Sequence, residues 1–159
     1  NFYKNVEGLI KAIALLRKEV LFVKVGPISR RQLRLLKRLK IDFVQFLDLP
    51  EEELVQVYNA VDLLVYPSWH EGFGFPVLEA MACSCPVVCS DAGALAEVAS
   101  DAAIMVSPDD ISGIAGAIER TLGSQDLKQQ LCEKGLKQAK KFSWEKTAME
   151  TADVYKKII

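Results

Sequence analysis

A chain of 159 residues, half of them apolar and about a quarter charged, has the length of one domain and can bury a substantial core. Twenty Lys and Arg against 21 Asp and Glu leave a formal net charge of −1, which gives no bulk attraction for nucleic acid or anionic lipid. Neither a signal peptide nor a spanning segment is expected, since no apolar run approaches the ~20 residues that cross a bilayer.

"NVEGLIKAIALLRK" (5–18) places apolar residues at 6, 9, 10, 13 and 16 and predicts a helix. "VLFVKVG" (20–26) is short and β-branched, ends at Gly26-Pro27, and predicts a buried strand. "SRRQLRLLKRLK" (29–40) predicts a strongly basic helix with Leu33, Leu36 and Leu39 turned inward. Its other side is a solvated face, or a patch for an anionic membrane or an acidic partner. "DFVQFLDL" (42–49) is a second strand. "PEEELVQVYNA" (50–60) opens a helix with Pro in the first turn and acids near the positive end of the dipole. "DLLVYPS" (62–68) is a third strand. Gly72 and Gly74 occupy a loop, Pro76 begins a helix over 76–83, and "PVVCS" (86–90) is the next strand. "LAEVA" (95–99) is one helical turn, "AAIMV" (102–106) a short strand, and Asp109 or Asp110 caps "ISGIAGAIERTL" (111–122). Helices over about 125–141 and 144–159 follow, the second capped by Ser143. Alternation without hairpin signals or repeats predicts an α/β fold with a doubly wound, Rossmann-like parallel sheet. Ligands of such sheets bind outside the carboxyl ends of the strands, where the loop 68–75 lies.

Four cysteines stand at 83, 85, 89 and 132. The C-x-C spacing lacks the paired C-x-x-C units of a zinc site, and His70, the single histidine, is not at ligand spacing to it. Small buried thiols in a reducing cytoplasm are expected, and no metal.

"HEGFGFPVLEAMACSCPVV" (70–88) carries the chemistry. Gly72 and Gly74 free the backbone to turn just before a helix whose first N–H groups lack internal partners, a setting suited to phosphate. Pro76 removes one donor and leaves Phe75, Val77 and Leu78. Glu79 stands in an otherwise apolar run, and a carboxylate there is paired, hydrogen-bonded or awaiting a ligand. In the first helical turn it either reaches the strand-end crevice, to accept from a vicinal diol such as a ribose, or only offsets the dipole. Glu71 either accepts from a sugar hydroxyl or is a solvated loop acid. His70 is a candidate acid or base by residue type, but with Trp69 beside it and no orienting partner in sequence it reads as a packing or ligand-edge residue.

"PSWHEGFGFPVLEAMACSCPVVCSDAGALAEV" resembles the donor-binding region of the family-four retaining glycosyltransferases of GT-B fold. Their E-x7-E motif matches Glu71 and Glu79, and the EAMA, PVV and S-D that follow match as well. The similarity extends through "KN" at Lys4-Asn5, "ELVQVYNAVDLLVYPS", "DAAIMVSPDD" and "FSWEKTA", nearly the whole chain. The resemblance implies the C-terminal, nucleotide-sugar-binding half of a two-domain enzyme, with a central strand and an acceptor-binding domain ahead of Asn1. It implies Glu79 on the ribose hydroxyls and Glu71 on the donor sugar near the reaction centre. Backbone amides of Gly72, Phe73 and Gly74 would meet sugar hydroxyls and phosphate, with Phe75 and Val77 near the diphosphate. Lys4 corresponds to the lysine that neutralises the diphosphate, so Lys4 and Glu71 are the catalytic candidates. The base would lie against Phe46, Leu47 and Asp48, with Gly26 close by.

The implied reaction is sugar transfer from a nucleoside-diphosphate sugar with retained configuration, without metal or cofactor. The family's arginine a few residues before Lys4 has no counterpart in residues 1–3 and is expected with the strand ahead of Asn1, and Asp48 replaces a common glycine. Ser84 replaces a helix-ending glycine, which implies a left-handed residue at some cost. In this fold the last helix crosses back onto the N-terminal domain. Its face of Trp144, Thr147, Ala148, Thr151, Val154, Tyr155 and Ile158 is therefore expected to stand partly exposed without that domain. A binding module without transfer, or another GT-B enzyme such as a nucleotide-sugar epimerase, remains open. The expected partners are the sugar nucleotide and the acceptor domain, not nucleic acid. The expected location is the cytoplasm, with any membrane contact peripheral and made through the acceptor or the upstream domain.

Overall fold

In a computed structural model, which describes residues 2–158, the expected alternation of helices and parallel strands is present. Strand β1 (Phe22–Val25) pairs in parallel with β2 (Phe43–Phe46), Phe22 opposite Phe43 and Val25 opposite Phe46. Strands β3 (Leu64–Tyr66), β4 (Val87–Ser90) and β5 (Ile104–Val106) form a second parallel sheet in that order. The single sheet read from the sequence is thus observed as two. A one-turn 3-10 helix, Phe2–Lys4, precedes α1 (Val6–Ile13). Helices α2 (Arg30–Arg38), α3 (Glu51–Ala60), α4 (Phe75–Ala82) and α5 (Ala94–Ala99) alternate with the strands. They are followed by α6 (Ile111–Gly123), α7 (Gln125–Ala139) and α8 (Trp144–Ile158). Ile159, which the predicted last helix includes, lies outside the described residues.

Every residue of β4 is buried, as a central parallel strand requires. Successive side chains point to opposite faces. Val88 joins a core of Ile10, Phe22, Leu36 and Ile114, against which residues of both sheets pack, Phe43 and Val65 among them. Val87 and Cys89 join the other core with Val77, Met81 and Leu95. All four cysteines are free thiols, and burial pushes Cys85 and Cys89 up to about 12.

Several boundaries move for identifiable reasons. Asn5 is not inside the first helix but caps it in a left-handed conformation (φ 49°). Its Oδ1 accepts from the Gly8 N–H at 3.2 Å and its Nδ2 donates to the Pro108 carbonyl at 2.6 Å. Helix α1 stops at Ile13 rather than Lys18, and the Arg17 N–H donates to the Glu119 carboxylate of α6 at 2.8 Å. Pro50 is the cap residue of α3, and Asp110 rather than Asp109 caps α6. Ser143 accepts from the Lys146 N–H at 3.1 Å at the start of α8. Ser84 is left-handed (φ 57°), as the resemblance implied. On the basic helix Leu35 and Leu36 are buried, while Arg30, Arg31, Arg34, Lys37 and Arg38 face water. No described residue of α8 is buried, so its apolar stripe stands in the open, with Trp144 74% and Ile158 76% exposed.

Candidate functional site

Tyr66 ends β3, and the chain continues through Pro67 and the fully buried Ser68 to Glu71. The Tyr66 hydroxyl donates to Glu71 Oε1 at 2.6 Å, and Ser68 Oγ donates to the same oxygen at 2.9 Å. Ser90, at the end of β4, donates its hydroxyl to the Ser68 carbonyl and ties this turn to the neighbouring strand. Burial, then the hydrogen bond to Glu71, push the Tyr66 phenol above its usual range, so it stays a donor. Lys4 Nζ lies 5.8 Å from the Tyr66 ring centroid, a cation–π distance. The Trp69 N–H donates to the Tyr3 carbonyl at 2.8 Å, and Trp69 Nε1 donates to Asp109 Oδ1 at 2.7 Å. Residues 3–5, the loop after β3 and the loop after β5 therefore gather at the carboxyl edge of the second sheet. Lys24, on β1, has its ammonium held below the usual range by burial and then by Lys4.

Gly74 must be glycine on two counts. Its φ is 105°, and a Cβ there would lie 2.3 Å from Leu95 Cδ2. A Cβ on Gly72 would meet nothing within 4 Å, so that part of the loop is open. Helix α4 begins at Phe75, one residue before Pro76, with Gly74 in the cap position. Val77 is fully buried and its N–H donates to the Gly74 carbonyl at 2.9 Å, so that amide is withdrawn from an anion pocket. The Phe75 amide, with those of Gly72, Phe73 and Gly74, remains a candidate.

Glu79 departs from expectation in two ways. The apolar run around it suggests burial, yet its side chain is exposed, because the inward stripe of α4 is Val77, Ala80 and Met81. It also lies in the second turn, and the first turn holds no acid, which removes the dipole explanation. Its carboxylate has a partner: the Tyr58 hydroxyl of α3 donates to Oε2 at 2.9 Å. Burial and then the Glu79 charge push the Tyr58 phenol far above its usual range.

His70 is exposed. Gly26 and the segment Phe46 to Asp48 lie at the carboxyl edge of the other sheet. There the Gly26 N–H donates to the Phe46 carbonyl at 2.7 Å, and Leu47 is 60% exposed. Among the described residues no group of three or more His, Cys, Asp or Glu could hold a metal ion, and no helix is long and apolar enough to cross a membrane. An open hollow of about 430 Å³, lined by Asp62, Pro86, Lys128 and Cys132, lies at the opposite, amino ends of β3 and β4. Lys128 Nζ already meets Asp62 Oδ1 there at 3.3 Å.

Residues 1–124 match the family described as Glycosyl transferases group 1. The chain belongs to that family. This group 1 chain is 36% identical over 162 residues to the O-antigen chain mannosyltransferase B of Escherichia coli, covering 96% of the chain and 42% of that relative. A sucrose-phosphate synthase from Thermosynechococcus elongatus superposes with a TM-score of 0.87 at 27% identity, covering 99% of this chain and 43% of the other. HepE of Anabaena, solved in complex with UDP, superposes with a TM-score of 0.84 at 21% identity, over 99% and 46%. The group 1 chain therefore spans less than half the length of these relatives, and its α/β fold is that of the GT-B glycosyltransferases.

Three side chains of this group 1 domain escape a reading of its sequence. Tyr58 and Tyr66 sit at positions of a helix and a strand where an aromatic reads as core. Only the fold shows that their hydroxyls end on the two glutamates. Lys24 had a signal, since a lysine inside the strand "FVKV" is out of pattern.

Proposed function

We propose that residues 1–159 form the nucleotide-sugar-binding domain of a retaining glycosyltransferase of the family-four type, with Glu71 and Glu79 as its E-x7-E pair. A further strand and an acceptor-binding domain precede Asn1 in the proposed whole protein. The observation that carries the proposal is the gathering of Lys4, Tyr66 and Glu71 at the carboxyl end of β3, directly ahead of the glycine loop that opens α4. An ammonium over the ring whose hydroxyl fixes a carboxylate suits a ligand that is anionic at one end and carries hydroxyls at the other, as a sugar diphosphate does.

As the bond from the sugar C1 to the diphosphate oxygen breaks, negative charge grows on the leaving group. Lys4 and the amides of Gly72, Phe73, Gly74 and Phe75 stabilise that charge. Glu71, fixed by Tyr66 and Ser68, accepts from sugar hydroxyls beside the reacting carbon. Glu79, exposed and accepting the Tyr58 hydroxyl on Oε2, also accepts from the ribose diol. Gly26 and the backbone from Phe46 to Asp48 receive the base. No metal is needed, because lysine charge does the neutralising. The UDP complex of HepE, a protein of the same fold, supports the nucleotide part of the proposal.

The chain alone should bind donor without turning it over, because transfer needs donor and acceptor held together away from water. A matching nucleoside diphosphate should raise its melting temperature by mass action. Transfer should appear only when the upstream domain is present. Robust transfer by residues 1–159 alone would contradict the two-domain part. Absence of stabilisation by UDP, GDP, ADP and dTDP alike would contradict the donor part.

A further inference from the structure

Four aromatic rings connect the glycine loop to the start of α8. Phe73 and Phe75 stand 4.9 Å apart, tilted by 50°. Phe73 meets Phe142 edge-on at 5.8 Å and 81°. Phe75 stacks on Trp144 at 6.1 Å and 28°. The last two are the edge-on and stacked arrangements in which aromatic pairs attract beyond their buried area.

Their positions give the contacts a consequence for the site. The loop has its backbone freedom at Gly72, which faces open space, and at Gly74, which is left-handed. The two side chains that alternate with those glycines, Phe73 and Phe75, both rest on residues 142–144. Phe75 is 52% and Trp144 74% exposed, so stacking between them removes little apolar surface from water and adds little to the core. What it does is orient. Helix α8 buries none of its described residues, and its first turn, capped by Ser143, is the part that meets the loop through Trp144.

We infer that Phe142 and Trp144 are positioning residues for the donor loop. They set where the amides of Gly72, Phe73 and Gly74 lie, and they transmit the orientation of α8 to the donor site. The inference rests on the proposed donor function of that loop. A helix that docks elsewhere along its length then alters donor affinity through its first turn, without touching the donor.

The test uses the full-length protein and the panel UDP, GDP, ADP and dTDP, with donor KM measured for the nucleotide that binds. Trp144→Ala and Phe142→Ala should each raise the Kd of that nucleotide and the donor KM by roughly two- to twelvefold. Trp144→Phe, which keeps a ring to stack on Phe75, should stay within about twofold of the parent. A role confined to stability would lower the melting temperature and leave Kd unchanged. Nucleotide addition should also change tryptophan emission in a Trp69→Phe background, which removes the tryptophan next to the Glu71 loop, and that change should shrink on Trp144→Phe while binding persists. Folded alanine variants with parental Kd and KM would overturn the inference alone. Should the alanine variants not fold, emission in the Trp69→Phe background that nucleotide binding leaves unchanged overturns it. No binding by the parent protein would overturn the functional proposal and this inference with it.

Discussion

Replacing Tyr66 with Phe removes one hydroxyl and keeps the ring that lies 5.8 Å from Lys4 Nζ, so the cation–π contact survives and the hydrogen bond does not. The lost bond is 2.6 Å long and ends on a carboxylate oxygen. Hydrogen bonds to charged groups contribute ~1.5–3 kcal/mol. Ser68 Oγ still donates to the same oxygen at 2.9 Å, so Glu71 is only half released and the lower end applies. A loss of ~1.5 kcal/mol corresponds to about a tenfold fall in kcat/KM for the donor. Ser68→Ala removes the second donor. Because both hydroxyls act on Oε1, the double variant should depart from the sum of the single losses by at least ~0.5 kcal/mol. The assay is initial-rate kinetics of the full-length protein across donor concentration, with thermal unfolding run alongside to show that each variant is folded. A folded Tyr66→Phe protein with parental kcat/KM would show that the clamp on Glu71 serves no function.

Ser84→Gly should stabilise the chain by about 1 kcal/mol, because a left-handed serine (φ 57°) gives way to the residue that adopts that conformation without penalty. Thermal unfolding should show a rise of about 2–4 °C, and a fall would contradict the strain argument. Gly74→Ala should act in the opposite direction. A Cβ 2.3 Å from Leu95 Cδ2 at φ 105° is expected to cost about 1–3 kcal/mol and to abolish stabilisation by nucleotide. A Gly74→Ala chain with parental melting temperature and nucleotide response would remove the reason for a glycine there.

The alternation of helices and strands was legible because the two apolar periods differ and some helices carry a start signal, such as Ser143, which accepts from the Lys146 N–H at 3.1 Å. The boundaries were less so. Asn5 has the residue type of a cap, but the apolar stripe beginning at Val6 made it read as the helix's first residue. Helix α1 ends at Ile13, and beyond it the Arg17 N–H meets Glu119, a partner more than a hundred residues away that no local pattern announces. The glycine loop and its place at a strand's carboxyl end could be read from residue order alone. The exposure of Glu79 could not, because a one-residue shift on α4 moves a side chain by 100° and here turns it out beside the stripe of Val77 and Ala80. The clamps on the two glutamates were invisible for a different reason. Periodicity assigns a tyrosine's ring to the core and is silent on where its hydroxyl ends.

The central claim is that the 71–79 segment and Lys4 hold a nucleotide sugar, and calorimetric titration with UDP, GDP, ADP and dTDP tests it most directly. One nucleotide should bind. Glu79→Ala should weaken it by roughly tenfold or more, the equivalent of a charge-assisted diol–carboxylate pair of ~1.5–3 kcal/mol. His70→Ala, which changes an exposed side chain, should shift affinity by no more than about twofold. Equal affinities for the parent and Glu79→Ala, or a loss in His70→Ala as large as in Glu79→Ala, would contradict the account.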